Sequence, residues 1–493
     1  MKYYSTRNKA NRVSSMDAII KGIADDGGLF VPESIPTLPD LDDLKSLDYI
    51  ALAKEILAMY FDDYSDDEIS NAVEGAYIEK FNHNNPVKLQ KKGGAYFLEL
   101  FHGPTLAFKD MALTILPYLM RTALLRKGIK EEVVILTATS GDTGKAALEG
   151  FRDVPGVNVV VFYPKDGVSS MQELQMKSQQ GKSNHVVAME GNFDDAQKGV
   201  KEIFADEKFN ELLQKRGYLL SSANSINIGR LVPQIIYYVY GYLTLLNENK
   251  IEKGEKINIV VPTGNFGNIL AAFYAKEMGL PIETLICASN DNDVLTTFLE
   301  TGVYDKKRDL LLTSSPSMDI LVSSNLERFL FHVSGEDDTA IKKMMNQLDE
   351  EGSFRWDDFS KANIYGECAS EKDVTNSINK LYEDEGYLMD PHTAVGYSVY
   401  RKFLKETGDI KPTIIASTAS PFKFPDKVIT SINLPVPNNL FKSMEIISEA
   451  MDMKIPLKVK ELEHLPILHE TICTKENMKD VVLKVLAGGM GDD

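Results

Sequence analysis

Five short stretches hold residue types that could do chemistry together. The first is Phe101-His102-Gly103-Pro104-Thr105-Leu106-Ala107-Phe108-Lys109-Asp110, where Lys109 follows a Gly-Pro turn and precedes a long apolar segment. A lysine amine can condense with an aldehyde cofactor or move a proton at carbon. The second is Thr263-Gly264-Asn265-Phe266-Gly267-Asn268, between the apolar run Ile257 to Val261 and a helical pattern. Glycines there expose backbone N–H groups at a helix N-terminus, which cradles phosphate. G-x-x-G replaces the dinucleotide G-x-G-x-x-G, and no lysine follows the second glycine as a P-loop requires. A single phosphate monoester fits best. The third is Thr137-Ala138-Thr139-Ser140-Gly141-Asp142-Thr143-Gly144, dense in hydroxyls and backbone donors that suit a carboxylate or phosphate. Its Gly144-Lys145 pair fails as a P-loop, because no glycine stands upstream at the required position and Ala146 replaces Ser or Thr. The fourth is Ser417-Thr418-Ala419-Ser420-Pro421, after the apolar run Thr413 to Ala416. Ligands in open α/β sheets bind beyond such strand ends, and a hydroxyl there could face a heterocyclic nitrogen. The fifth, Ser222 to Arg230, leads into a long apolar helix with Arg230 in its first turn, where a cation is disfavoured unless an anion meets it. Each stretch also has a plain structural reading: a solvated lysine, a glycine-rich βα turn, a capped helix start, a polar turn, a surface salt bridge.

The pattern around these loops is what positions them. Residues 1 to about 90 read as a small unit. It has a short helix over Ser15 to Lys21 closed by Gly22, a turn at Asp26-Gly27-Gly28, two acidic amphipathic segments, and a loop over Asn82 to Pro86. From about residue 95, strand-like runs alternate with helical ones. Val133 to Thr137, Asn158 to Tyr163, Val186 to Met189, Ile257 to Val261, Ile282 to Ala288 and Pro412 to Ala416 suit buried parallel strands. Helices are predicted over Met111 to Leu125 and over Ile228 to Leu246, the latter bent at Pro233. This alternation predicts an α/β fold of open, twisted, mainly parallel sheets with helices on both faces. The tail from Gly488 reads as disordered.

At 493 residues the chain needs two or three domains. A formal net charge of −18 opposes nonspecific binding to nucleic acid or anionic membranes, so an anionic ligand must be held by local donors. Cys287, Cys368 and Cys473 form no C-x-x-C pair, which argues against a disulfide framework or a zinc site. Met1 to Arg12 is polar and no apolar run reaches membrane-spanning length, so a soluble cytoplasmic protein without a metal is predicted.

Taken in order, HGPTLAFKD, TATSGDTG, SANSINIGR, PTGNFGN, DPHTAVG (Asp390 to Gly396) and STAS closely resemble the threonine synthase family, within the fold type II pyridoxal-phosphate enzymes. Met1 to Arg7 and Asp26 to Pro32 resemble that family's N-terminal domain, and its longer bacterial and fungal form is the better match. One departure is Phe422-Lys423-Phe424, where many relatives read Ala-Lys-Phe. The resemblance implies a tryptophan synthase β-like fold with an N-terminal domain, 1–90, and a large pyridoxal-phosphate domain, 91–130 and 226–493, with a peripheral helical insertion near 333–375. It also implies a small mobile α/β domain, 131–225. It implies pyridoxal 5′-phosphate carried on Lys109, its phosphate on Gly264, Asn265, Phe266, Gly267 and Asn268, its ring nitrogen at Thr418, and Asp142 near its 3′-oxygen. Ser140, Thr143 and Asn224 become substrate-side donors and Arg230 the candidate for the substrate phosphate. The implied reaction turns O-phospho-L-homoserine and water into L-threonine and phosphate, in a cytoplasmic monomer or homodimer. The alternatives are another type II lyase, such as a serine/threonine dehydratase or an amino-phospholyase, and a non-catalytic phosphate- or nucleotide-binding α/β protein.

Overall fold

The computed structural model describes the whole chain except residues 79, 82–84, 140, 357, 360–361 and 489–493. Its main sheet has six strands in the order Ile364–Cys368, Ile282–Ser289, Ile257–Pro262, Thr413–Ser417, Ala95–Glu99 and Lys88–Lys92. The first five run parallel and the last is antiparallel. Every residue of Ile257–Pro262 and Thr413–Ser417 is buried, as unbroken β-branched runs require when helices cover both faces. The lysine-rich Lys88–Lys92 takes the edge, where charge guards unpaired backbone. A second sheet is wholly parallel, in the order Thr471–Cys473, Asn184–Met189, Val157–Pro164, Glu132–Ala138 and Tyr218–Ser221. A three-stranded antiparallel sheet near the N-terminus joins Asn8–Ser14, Lys2–Ser5 and Phe30–Pro32.

The predicted α/β architecture holds, with local corrections. The segment near 333–375, expected to be a helical insertion, contributes the edge strand Ile364–Cys368. All five of its residues are half-buried, so no continuous apolar run marks it. The second sheet draws its edge strand Thr471–Cys473 from the chain end that was expected to lie with the large unit. Helix Met478–Gly488 packs there too, with Cys473, Met478, Val482 and Leu486 against Val134, Leu136 and Val160. That helix reaches Gly488, where disorder was expected; 489–493 lie outside the described residues, as do 82–84 of the loop over Asn82 to Pro86. The helix predicted over Ile228 to Leu246 is two helices, Ile228–Leu231 and Pro233–Asn247. That over Met111 to Leu125 is also split, into Asp110–Leu113 and Leu116–Lys127. Pro233 and Pro117 lack the N–H that a helix interior needs and fit helix starts instead.

Three joints set the site. Beyond the sheet, Phe108 N donates to Thr418 O at 2.8 Å and Ala107 pairs with Ala419, which brings Lys109 beside Thr418. The N-terminal unit grips the loop before Arg230: Ser221 Oγ donates to Ile20 O at 2.7 Å and Asn227 Nδ2 to Ile19 O at 2.9 Å. Arg7 clasps Glu327 through Nε and Nη2 at 2.9 and 2.8 Å. Among the described residues no helix is long and apolar enough to cross a membrane, and no cluster of His, Cys, Asp and Glu is placed to hold a metal.

Candidate active site

Lys109 is buried at the start of helix Asp110–Leu113. Its amine donates to Ser317 Oγ at 3.0 Å and lies 3.7 Å from Asp142 Oδ2. Burial, then the nearby Arg230 and Lys423 cations, push its pKa down to about 8, while Asp142 opposes them. A lysine so placed keeps a usable fraction of free amine near neutral pH.

Asp142 heads helix Asp142–Gly150 and is buried. Burial would raise its carboxyl, but Lys423 first, then Lys109, hold it far below the usual range. Lys423 Nζ meets Asp142 Oδ1 at 2.7 Å, Gln172 Nε2 donates to the same oxygen at 2.9 Å, and Ser317 Oγ donates to Oδ2 at 3.3 Å. Lys423 is fully buried and also donates to Thr105 O at 3.0 Å and Gln175 Oε1 at 3.4 Å. It therefore ties the first loop, the third loop and helix Ser170–Lys177 to one ammonium.

The glycine loop precedes helix Gly267–Glu277. Phe266 takes a left-handed φ of 61°, a strain tolerated where tertiary contacts fix it. A Cβ on Gly264 would stand 2.4 Å from the Ser317 carbonyl oxygen, so only glycine fits. Asn268 Oδ1 accepts from Tyr237 and Tyr238 at 2.6 and 2.5 Å, which leaves its Nδ2 buried without an acceptor. Arg230 is buried, donates through Nη1 to Ala223 O at 2.9 Å, and has an Nε with no acceptor. Burial lowers its pKa to about 10. Gln234 links the two: its Nε2 donates to Arg230 O at 2.7 Å and its Oε1 lies 3.0 Å from the Tyr237 hydroxyl. Buried donors without partners are rare and costly. Asn268 Nδ2, in the first turn of helix Gly267–Glu277 after the glycine loop, fits an oxyanion such as a phosphate ester.

Of the other predicted residues, Thr418 is buried beside Lys109, its amide donating to Thr393 Oγ1 at 3.3 Å. Thr143 is half-buried in the turn after Asp142, and half-buried Asn224 accepts from the Thr137 hydroxyl. Ser140 lies outside the described residues. Sequence reading missed Ser317 and Gln172, and it marked Lys423 and the pair Asp390–His392 only as parts of quoted motifs without a role. The lysine inside Pro421-Phe422-Lys423-Phe424-Pro425 was the one available signal, a charge in an apolar run next to a site loop. His102 and Asp110 face other duties. His102 Nε2 pairs with Glu99 at 3.0 Å, and Asp110 closes the Gly-Pro turn by accepting from Thr105 N and Oγ1 at 2.7 and 2.6 Å.

A buried lysine of lowered pKa, a glycine-rich βα loop with an unpartnered buried donor and a hydroxyl at the neighbouring strand end are the features a pyridoxal-phosphate-dependent enzyme of fold type II needs. The family model for pyridoxal-phosphate dependent enzymes matches residues 86–418, and those for the threonine synthase N terminus and C-terminal region match 2–77 and 393–466. The chain belongs to the threonine synthase family. It is 38% identical to the Schizosaccharomyces pombe threonine synthase over 463 residues, 87% of this chain and 88% of that one. The Pseudomonas aeruginosa threonine synthase is 39% identical over 439 residues, covering 87% and 90%. The crystal structure of pyridoxal-phosphate-bound threonine synthase from Brucella melitensis superposes with a TM-score of 0.86 at 34% identity over all of both chains.

Proposed function

We propose that this chain is a threonine synthase that converts O-phospho-L-homoserine and water to L-threonine and phosphate. The observation that carries this is the buried Lys109 amine, held between Ser317 and Asp142 beside a phosphate cradle. Bound pyridoxal phosphate supplies the electron sink for carbanion chemistry next to the amine. Lys109 carries the cofactor and, once free, takes and returns protons at Cα and Cβ of the substrate. Gly264, Asn265, Phe266, Gly267 and Asn268 hold the cofactor phosphate through backbone donors and Asn268 Nδ2. Thr418 offers the ring nitrogen a neutral hydroxyl, which favours elimination and replacement over transamination. Asp142 would face the cofactor's 3′-oxygen, with Lys423 balancing its charge. Arg230 would draw the substrate phosphate, which leaves from Cγ once a β-proton is gone and before water adds at Cβ; Ser140, Thr143 and Asn224 would orient the substrate's polar groups.

The same reading takes the chain as a cytoplasmic monomer or homodimer, divided as 1–90, 91–130 with 226–470, and a small mobile domain of 131–225 completed by 471–488. Purified protein given O-phospho-L-homoserine should yield phosphate and threonine in equal amounts. Phosphate without threonine would mark a phospholyase and overturn the reading.

A further inference from the structure

Ser317 stands where three parts of the site meet, and no sequence motif marks it. Its hydroxyl accepts from Lys109 at 3.0 Å and donates to Asp142 Oδ2 at 3.3 Å. Its amide donates to His392 Nε2 at 3.2 Å. A backbone amide only donates, so Nε2 is the acceptor and the ring proton sits on Nδ1, facing Asp390 Oδ2 at 2.7 Å. Its carbonyl oxygen presses on Gly264. The turn Pro316–Met318 is anchored further by Asp319, which accepts from Asn290 Nδ2 at 2.7 Å and from Thr313 N at 2.9 Å. The backbone of this serine is therefore fixed from both sides, and its side chain is aimed at the reactive amine.

A hydroxyl has one proton. Donated to Asp142, it leaves only lone pairs for Lys109, so Lys109 must point an N–H at Ser317. A neutral amine held this way directs its own lone pair away from Ser317. The hydroxyl also bridges, from one side, an amine and a carboxylate that already pair at 3.7 Å. Without it Asp142 loses one neutral donor and leans more fully on Lys109, which favours the ammonium form.

We propose that Ser317 is a positioning residue of this site, orienting the Lys109 amine and drawing part of the Asp142 carboxylate away from it. This rests on Lys109 being the reactive lysine. The charged groups facing Lys109 are Asp142, Arg230 and Lys423, all retained when Ser317 alone is changed.

The test uses apoprotein of the wild type, Ser317→Ala and Ser317→Thr, mixed with pyridoxal phosphate from about pH 6 to about pH 10. Condensation joins the lysine nitrogen to the aldehyde carbon and releases one water. Borohydride then fixes the bond, and peptide mass measures modified Lys109. Ser317→Ala should move the pH midpoint up by about one unit, slowing capture about tenfold near neutral pH. Its thermal midpoint should be unchanged, and Ser317→Thr should restore wild-type behaviour. Should alanine disturb folding, the near-isosteric Ser317→Cys, a weak acceptor, should show the same upward direction. An unmoved midpoint in a folded variant overturns this proposal alone, as does a shift in Ser317→Thr as large as in alanine. Wild-type protein labelled elsewhere overturns the Lys109 reading and this proposal with it.

Discussion

Lys423→Met removes the cation nearest Asp142, at 2.7 Å, and leaves that carboxylate to Lys109 at 3.7 Å and to the neutral donors Gln172 and Ser317. A unit pair at that second distance attracts by about 4 kcal/mol at an effective dielectric of about 20. In the native site Lys423 competes for Asp142 and repels Lys109. With Lys423 gone both effects favour the Lys109 ammonium. Realising a third to a half of the pair attraction would raise the Lys109 pKa by about one to one and a half units. The pH midpoint for capture of pyridoxal phosphate by apoprotein should rise accordingly from its native value near about 8. Stability should fall too, by about 3 kcal/mol, because one member of a buried pair is stranded. The sign with pH follows from Asp142. Its folded carboxyl is depressed, so its contribution is present above the unfolded value of about 4 and is lost as pH falls towards the folded one. Lys423→Met shrinks that contribution, so wild type should lead the variant most at neutral pH and by less as acid protonates Asp142. The double variant Lys423→Met/Asp142→Asn should return the capture midpoint towards native, since both charges leave together. A midpoint in Lys423→Met that stays put or falls, or a double variant no better than the single one, would refute the reasoning.

Two further outcomes follow from the cradle. Gly264→Ala puts a Cβ 2.4 Å from a backbone oxygen of Ser317, which no rotamer change relieves; cofactor affinity should fall at least about tenfold, a loss of about 1.4 kcal/mol, measured by fluorescence titration of apoprotein. Arg230→Met removes a buried guanidinium whose Nε has no acceptor; the ligand-free protein should melt no lower than wild type, stabilisation by inorganic phosphate should vanish, and kcat/KM should drop about a hundredfold or more, about 3 kcal/mol.

The parallel core strands were legible because burial on both faces demands runs such as Ile257 to Val261, and the loops at their ends announced themselves by glycines and hydroxyls. Lys109, the Gly264–Asn268 loop and Thr418 could be proposed because each sits in such a loop. Ser317 could not. It lies in the polar run Thr313 to Asp319, whose shape comes from Asn290, His392 and Gly264, residues far away in sequence. Lys423 hides for a related reason: its burial makes sense only once Asp142 is beside it. Thr471–Cys473 was missed because three residues carry too little period, with two of them exposed at an edge.

Borohydride reduction of the holoprotein followed by peptide mapping tests the central claim most directly. Among the described residues three lysines are buried, Lys109, Lys145 and Lys423. Lys145 is a fair rival, because burial pushes its pKa to about 8 as well. It is engaged by Gln179 and lies 3.7 Å from Glu149, whereas the Lys109 amine meets Ser317 beside the glycine cradle. Reduction should place the pyridoxyl mass on Lys109 alone, with loss of the visible absorbance band. The same mass on Lys145 or Lys423, or an unlabelled Lys109, would contradict the account.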